Sequence, residues 1–505
     1  MSEHSKLFGW GVGGLLDRAQ IVTRVSLSEK QAHGMVLVVP AKVSVAKIKK
    51  MLPKGVPAWQ LADIGKKAGK LIQLSSTNGP VVLLRLGKVE PSSADFGFHS
   101  PSDYQLARDL GGQMIGLLNS PIKVAWTICF EDILEESIKG FLVGLEIGQY
   151  KYLTARQNSS FNNLGIKLLG VSKACLAAAR LLGVSVNVAR HLVNTPANEL
   201  NPMTFAKSVK SLFPKNKAIK IEVWNEQRLK KEKMGLILGV GKAASVAPRL
   251  LHIRYRPQGA TGNPIAFVGK GITFDSGGLD LKPAAAMRLM KKDMGGAASI
   301  AGLAYWAIYS KLKVKLDFYF ALAENSVGPE AYRPGDVLSA RNGLSVEIHN
   351  TDAEGRLALA DAMDVAVSQK GSHSPSLLID VATLTGAARV GLGTSVGALF
   401  STTTDSATSV AKAGQRYGDH VWPMPLYQGY GKTIRSSFAD TNHCSSSRFG
   451  GAITAALFLK KFVGDTPWVH LDVMGWTEAQ GPFRESGGNG QVVQCLAGFL
   501  EGLSE

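Results

Sequence analysis

Leu344-Ser345-Val346-Glu347-Ile348, followed after His349 by Asn350-Thr351-Asp352-Ala353-Glu354-Gly355-Arg356-Leu357, is the stretch whose reading decides the fold. Its first part alternates apolar and polar residues, the period of a half-buried strand. Its second part places two carboxylates and an arginine within five residues, and a helical pattern starts at Arg356. A strand that enters a loop and then a helix is the repeating unit of an α/β fold, whose ligands gather at the carboxyl ends of strands. Two readings of the octapeptide fit. Thr351 with Glu354 three residues on matches a helix capping box, with Asp352 as a first-turn acid favoured by the helix dipole. The same carboxylates are hard oxygen ligands suited to a divalent metal, with Arg356 beside them for an anion.

The chain around this stretch has 505 residues, enough for two or three domains with their own cores. Hydrophobic residues make up 45% and charged residues 19%, a composition that places it among globular chains. No uninterrupted apolar run reaches the length needed to cross a bilayer. Met1–Val25 lacks the basic start, long apolar core and small-residue cleavage site of a secretory signal. A cytoplasmic protein is expected, with a mitochondrial or other organellar matrix as the other compartment. Cys129, Cys175, Cys444 and Cys495 show neither metal-finger nor disulfide-framework spacing, which suits a reducing compartment. Cys175 lies in an apolar helical segment and reads as core.

The formal net charge is +18, densest over Lys207, Lys210, Lys215, Lys217, Lys220, Arg228, Lys230, Lys231 and Lys233. Such a run can attract nucleic acid or an acidic surface. A solvated basic face is the simpler reading, because no aromatic stacking residues interleave with these lysines as a single-strand platform needs.

Strand-like runs alternate with helical patterns along the whole chain, which predicts α/β architecture with a mainly parallel sheet. Early strands are expected at Met35–Val39, Val81–Leu86 and Ile122–Cys129. Apolar residues at helical spacing, Leu164, Leu168, Val171, Cys175, Ala178 and Leu181, predict a connecting helix over 163–193. An N-terminal α/β domain would then occupy 1–162 and a larger catalytic α/β/α domain 194–505. Strands are expected there at Ile219–Val223, Ile265–Val268, Leu316–Ala321, Leu344–Ile348, Leu377–Val381 and Val469–Val473. Helices are expected at Met287–Tyr309, Arg356–Gln369 and Ala452–Phe462.

A second cluster also follows a strand: Val268-Gly269-Lys270-Gly271-Ile272-Thr273-Phe274-Asp275-Ser276-Gly277-Gly278, then Lys282, then Met290-Lys291-Lys292-Asp293-Met294-Gly295-Gly296-Ala297-Ala298. The last run reads as part of a helix whose small residues allow close packing. Each residue has a plainer alternative: Asp293 as a surface acid paired with Lys291 or Lys292, Asp275 as a turn residue with Ser276, Lys270 as a solvated cation. Neither a P-loop nor a G-x-G-x-x-G is present, and no H-E-x-x-H, which excludes a zincin-type site. Asp275, Asp293, Asp352 and Glu354 together could bridge two divalent cations, as in two-metal hydrolases. Oxygen ligation leans toward Mn or Mg, and zinc also accepts carboxylates. A lysine at such a site would bind metal as the neutral amine, which burial and an adjacent dication both favour.

These motifs identify the chain as resembling the leucine aminopeptidase family, the cytosol aminopeptidases. Asn350–Leu357 matches that family's signature octapeptide, and Lys270 to Asp293 its other metal-binding block. Asn194-Thr195-Pro196-Ala197-Asn198, Ala382-Thr383-Leu384-Thr385-Gly386-Ala387 and Gly451-Ala452-Ile453-Thr454-Ala455-Ala456 are similar to further family motifs. The resemblance covers roughly residues 190–500. It implies that Lys270, Asp275, Asp293 and Glu354 hold a tighter metal, and Asp275, Asp352 and Glu354 an exchangeable one. It implies that Lys282 polarises the scissile carbonyl, and that Arg356 holds a bicarbonate acting as general base. The substrate's free α-amine would bind a metal, which confines cleavage to the N-terminus. Met290, Thr383, Leu384 and Gly386 would line the site for the first side chain, with leucine and similar apolar residues preferred. Mn or Zn, with Mg or Co as further candidates, would serve as the metals. A homohexamer taking short peptides would be the working form. Three features depart from the family pattern: Ser445-Ser446-Ser447-Arg448 where relatives are often Gly-rich, Met474 and Trp476 where they often carry smaller residues, and the strong basic charge.

Overall fold

The computed structural model describes residues 20–21, 33–40, 42–57, 60, 71–77, 79–86, 101–118, 125–152 and 166–503. Most of the Met1–Val25 stretch, and the expected starts of the strand at Ile122 and of the helix at 163, lie outside these. The architecture is α/β. Its first sheet has six strands in the order Gln20–Ile21, Ile166–Leu169, Ala125–Phe130, His33–Pro40, Gly79–Leu86, Leu71–Ser76. All neighbours are parallel except the last pair, a hairpin.

The connecting helix runs Lys173–Asn194 rather than from 163, and Ile166–Leu169 is a strand of the first sheet. Ile166 and Leu168 are buried while Lys167 and Leu169 are only partly so, a period-two pattern too short to announce itself beside a long helical one. The helix begins where the Ser172 hydroxyl accepts the Cys175 amide at 3.0 Å. Among the described residues it is the one helix long and apolar enough to cross a membrane. Its second half is buried, packed between Glu135–Gln149 and Gly295–Tyr309.

The second sheet has eight strands in the order Val421–Pro423, Gly397–Ser401, Trp468–Asp472, Leu377–Ala382, Ile265–Asp275, Leu316–Asn325, Arg249–Tyr255, Ile219–Trp224. The four central strands, Trp468–Asp472 to Leu316–Asn325, are parallel. Antiparallel neighbours flank them on both sides. Both faces of the centre are covered, so these strands read as continuous apolar runs. Phe267 and Phe318 stack at 5.3 Å on one face, within the core that holds Met294 and Ile300. Val268 and Tyr319 face the other core, with Leu357 and Met363.

Three expected elements change. The strand Leu344–Ile348 shrinks to Ser345–Glu347 and belongs to a separate three-stranded sheet with Val337–Ser339 and Thr441–Asn442. The helix Met287–Tyr309 breaks into Ala284–Met287, a 3-10 turn Met290–Lys292 and Gly295–Tyr309. Just after the break, a Cβ on Gly296 would sit 2.0 Å from the Val381 carbonyl oxygen, so the helix backbone lies directly on the sheet. Ala452–Phe462 becomes Gly451–Leu459 followed by the 3-10 turn Lys460–Phe462.

The basic run spreads over the helix Pro202–Ser211, the strand Ile219–Trp224 and the helix Glu226–Lys231. Acids interleave with it: Lys220 pairs with Glu222 and Lys230 with Glu226 at 2.6 Å, and Arg228 with Glu232 at 2.9 Å. Contrary to the sequence reading, two aromatic residues lie within the run, of which Phe213 is buried. Trp224 is half-buried, and its ring is covered by the Arg228 guanidinium at 4.7 Å.

Candidate metal centre

Three chain segments meet at the carboxyl end of the central strands. The buried strand Ile265–Asp275 carries Lys270 in its middle and Asp275 at its end. The bend after the 3-10 turn Met290–Lys292 presents Asp293. The octapeptide presents Asp352 from a 3-10 turn, Thr351–Ala353, and Glu354 at the head of the helix Gly355–Val367. Asp293 therefore sits at a break and not within a helix.

Capping differs from the sequence reading as well. Asn350 caps the 3-10 turn, its side-chain oxygen accepting the Asp352 amide at 2.8 Å, and Glu354 makes no side-chain cap. Thr351 is fully buried and tied elsewhere. Its hydroxyl donates to the Gly277 carbonyl at 2.6 Å and accepts the Asp280 amide at 2.8 Å, while its own amide donates to Asp280 Oδ2 at 2.7 Å. Thr351 thus clamps the octapeptide to the loop after Asp275. Asn325, at the end of the neighbouring strand, completes the clamp by donating to Asp275 Oδ1 at 2.8 Å and to the Thr351 carbonyl at 3.0 Å.

The charges interlock. Lys270 Nζ lies 2.9 Å from both Asp293 Oδ2 and Glu354 Oε1, and donates to the Thr383 carbonyl at 3.0 Å. Lys282 Nζ lies 2.8 Å from Asp275 Oδ2 and also contacts Asp352. Gly355 makes room for the lysine: a Cβ there would fall 2.4 Å from Lys270 Cε. Burial pushes the carboxyls of Asp275 and Glu354 upward, and the like charges of Asp293 and Asp275 respectively add to it. Burial also raises Asp352. For Lys270, burial acts downward, but Asp293, Glu354 and Asp275 outweigh it and its pKa is raised. A neutral amine at Lys270 therefore needs a divalent charge beside it, since burial alone does not produce one here.

The residues fit a divalent metal. Asp275, Asp293 and Glu354 each bring a carboxylate oxygen within 4.8 Å of the others. Asp293 Oδ2, Asp352 Oδ1 and Glu354 Oε1 are buried with no aligned hydrogen-bond donor, their lysine neighbours meeting them as ion pairs. Four carboxylates share two ammoniums, and the buried negative charge left over is costly unless a further cation balances it.

The helix head also buries Arg356, which feels the charge of Glu354 and Asp472. It donates to the His443 carbonyl at 2.9 Å, and its Nε has no partner. His443 is buried behind the octapeptide, its Nε2 2.8 Å from the Asn350 carbonyl. Burial and the Arg356 charge push its pKa down to about 3, so it is neutral there.

The expected lining residues divide. Met290 accepts the Asp293 amide through its carbonyl at 3.2 Å, and the Thr383 hydroxyl donates to Asp293 Oδ1 at 2.8 Å. Leu384 is half-buried beside Thr383, whereas Gly386 is exposed at the start of the helix Gly386–Leu392 and a Cβ there would meet nothing. Sequence reasoning passed over Asn325, Asp280, His443 and Asp472. Asn325 and Asp472 end central strands, a position that could have flagged them. Asp280 and His443 carry no local signal.

The sequence model for the catalytic domain of the cytosol aminopeptidase family matches residues 187–497. The chain belongs to the cytosol aminopeptidase family. A probable cytosol aminopeptidase of Nostoc punctiforme is 38% identical over 377 residues, 73% of this chain and 75% of its own length. One from Sinorhizobium fredii is 35% identical over 482 residues, 90% of this chain and 92% of its own. The solved cytosol aminopeptidase of Coxiella burnetii superposes with a TM-score of 0.80 at 32% identity, covering 97% of this chain and 100% of that one. The bottromycin maturation enzyme BotP in complex with Mn gives 0.78 at 28% identity, covering 94% and 100%. As a cytosol aminopeptidase the chain is a metal-dependent hydrolase that removes N-terminal residues. In this aminopeptidase the three segments that build the carboxylate cluster all fall inside the matched catalytic region.

Proposed function

We propose that the chain releases leucine and similar apolar residues from the N-termini of short peptides, using two divalent ions held by Lys270, Asp275, Asp293, Asp352 and Glu354. The observation that carries this reading is the buried trio Asp275, Asp293 and Glu354, whose carboxylate oxygens converge within 4.8 Å of one another. Such ions, when bound, lower the pKa of water and polarise the scissile carbonyl. The chain's own groups do the rest. Lys282, whose ammonium sits between Asp275 and Asp352, donates to the oxygen on which charge develops. Arg356 would hold a bicarbonate through its unpartnered Nε, and that group would supply a general base beside the metals. Met290, Thr383, Leu384 and Gly386 line the space for the first side chain.

Mn or Zn are the metals proposed, with a homohexamer in the cytoplasm as the working form. Nucleic-acid binding through the basic run is the alternative, and the interleaved acids of that run weigh against it.

Chelation is expected to abolish cleavage of a leucyl-amide substrate, and readdition of Mn, Co or Zn to restore it, with two ions counted per chain. Metal-loaded protein that leaves this substrate intact would refute the reading. Arg356→Ala is expected to lower kcat by about 10²-fold, the scale of a general-base contribution, while metal content holds. Added bicarbonate should stimulate the parent enzyme and leave the variant unmoved. Equal stimulation of both would remove Arg356 from this role.

A further inference from the structure

The strand Trp468–Asp472 ends in a buried carboxylate whose hydrogen bonds all go to one loop. Asp472 lies in register with Ala382 on the neighbouring strand, where the chain leaves the sheet. Two successive amides of that loop, Leu384 at 2.9 Å and Thr385 at 3.2 Å, donate to Asp472 Oδ1. The Thr385 hydroxyl donates to Oδ2 at 2.6 Å and itself accepts the Ala388 amide at 3.1 Å, capping the next helix. One carboxylate therefore fixes the loop and the start of the helix behind it.

The other end of the same short loop touches the metal centre. Thr383 accepts from Lys270 through its carbonyl at 3.0 Å and donates to Asp293 through its hydroxyl at 2.8 Å. Lys270 and Asp293 come from different segments, and Thr383 hydrogen-bonds to both. A shift of the loop would move both together.

We propose that Asp472 is a positioning residue for the metal centre, holding the loop 383–385 so that Thr383 orients Lys270 and Asp293. This rests on the metal reading of Asp275, Asp293 and Glu354. Residues that orient metal ligands through hydrogen bonds typically contribute about 10- to 100-fold in metal affinity. The role is one of hydrogen-bond geometry. An asparagine can keep it: its carbonyl oxygen accepts both amides, and its NH₂ donates to the Thr385 hydroxyl.

Isothermal titration of chelator-stripped full-length protein with Mn, alongside its far-UV circular dichroism, tests this. Asp472→Ala should weaken Mn binding about 10- to 100-fold with an unchanged spectrum, and Asp472→Asn should stay within a few-fold of the parent. Thr383→Val should weaken binding too, and combining it with Asp472→Ala should cost less than the two effects multiplied. Thr385→Val, which removes one hydroxyl, covers the case in which Asp472→Ala does not fold, with about 3- to 10-fold weaker binding expected. Parent-like affinity in Asp472→Ala, or in Thr385→Val should the alanine variant be unfolded, would overturn the proposal. So would a loss in Asp472→Asn equal to that in Asp472→Ala, because charge would then be the acting property. If the parent protein takes up neither Mn nor Zn, the metal reading fails first and this inference with it.

Discussion

Glu354→Gln is expected to abolish stable metal uptake and to lower kcat/KM by about 10³-fold or more, a loss of roughly 4 kcal/mol of transition-state stabilisation. Glu354 is almost wholly buried, and its Oε1 has no aligned donor. The amide keeps the shape and removes the charge, and a neutral oxygen is a far weaker ligand for a hard dication. A second effect has the opposite sign. Burial and Asp275 already push the Glu354 carboxyl well above its ordinary range, so the folded chain without metal bears a cost for ionising it. Folding stability tied to a raised carboxyl is fullest at low pH and declines as pH rises from the ordinary Glu value toward the raised one. The glutamine variant lacks this decline. Its metal-free thermal midpoint should match or exceed the parent's at neutral pH, while metal content measured on the same sample falls toward zero. A variant that kept two ions and parent-like turnover would remove Glu354 from the ligand set.

Lys282→Ala is expected to lower kcat by about 10²- to 10³-fold, the scale for deleting one donor aimed at a developing oxyanion. Metal content should hold or rise. Lys282 pairs with Asp275 and Asp352, so its removal leaves those two carboxylates more available to a cation. KM should change little if Lys282 acts on the transition state and not on the bound substrate. Loss of metal in step with loss of turnover would show that Lys282 organises ligands instead of serving substrate.

Much of this centre is legible in the sequence, and the reason is local. Lys270, Asp275 and Lys282 crowd one strand and loop, and Asp352, Glu354 and Arg356 crowd one octapeptide, so their chemistry can be read within a short window. The errors arose where distant chain decided the outcome. Thr351 looks like a cap from its neighbours, but its hydroxyl is claimed by Gly277 and Asp280, 74 and 71 residues away. Ser345–Glu347 looks like a central strand, but it joins a small sheet whose third member, Thr441–Asn442, comes much later in the chain. The run from Met287 to Tyr309 looks like one helix, but it breaks at Asp293–Met294, before the helix Gly295–Tyr309 whose Gly296 lies against Val381 of the sheet. Asp472 looks like the end of any strand until the loop it holds is seen to reach Lys270.

Gly355 and Lys270 share one volume. The Cβ that any other residue would bring to position 355 would overlap the lysine's Cε and Nζ. Neither position is free to drift alone. A larger residue at 355 would evict the ammonium from Asp293 and Glu354, and a shorter side chain at 270 would leave the glycine facing a void. Substitutions at these two sites should therefore be tolerated only in compensating pairs. In a library that varies both and is sorted for folding alone, the surviving variants should lie along a narrow diagonal of matched sizes, with most single changes missing from it.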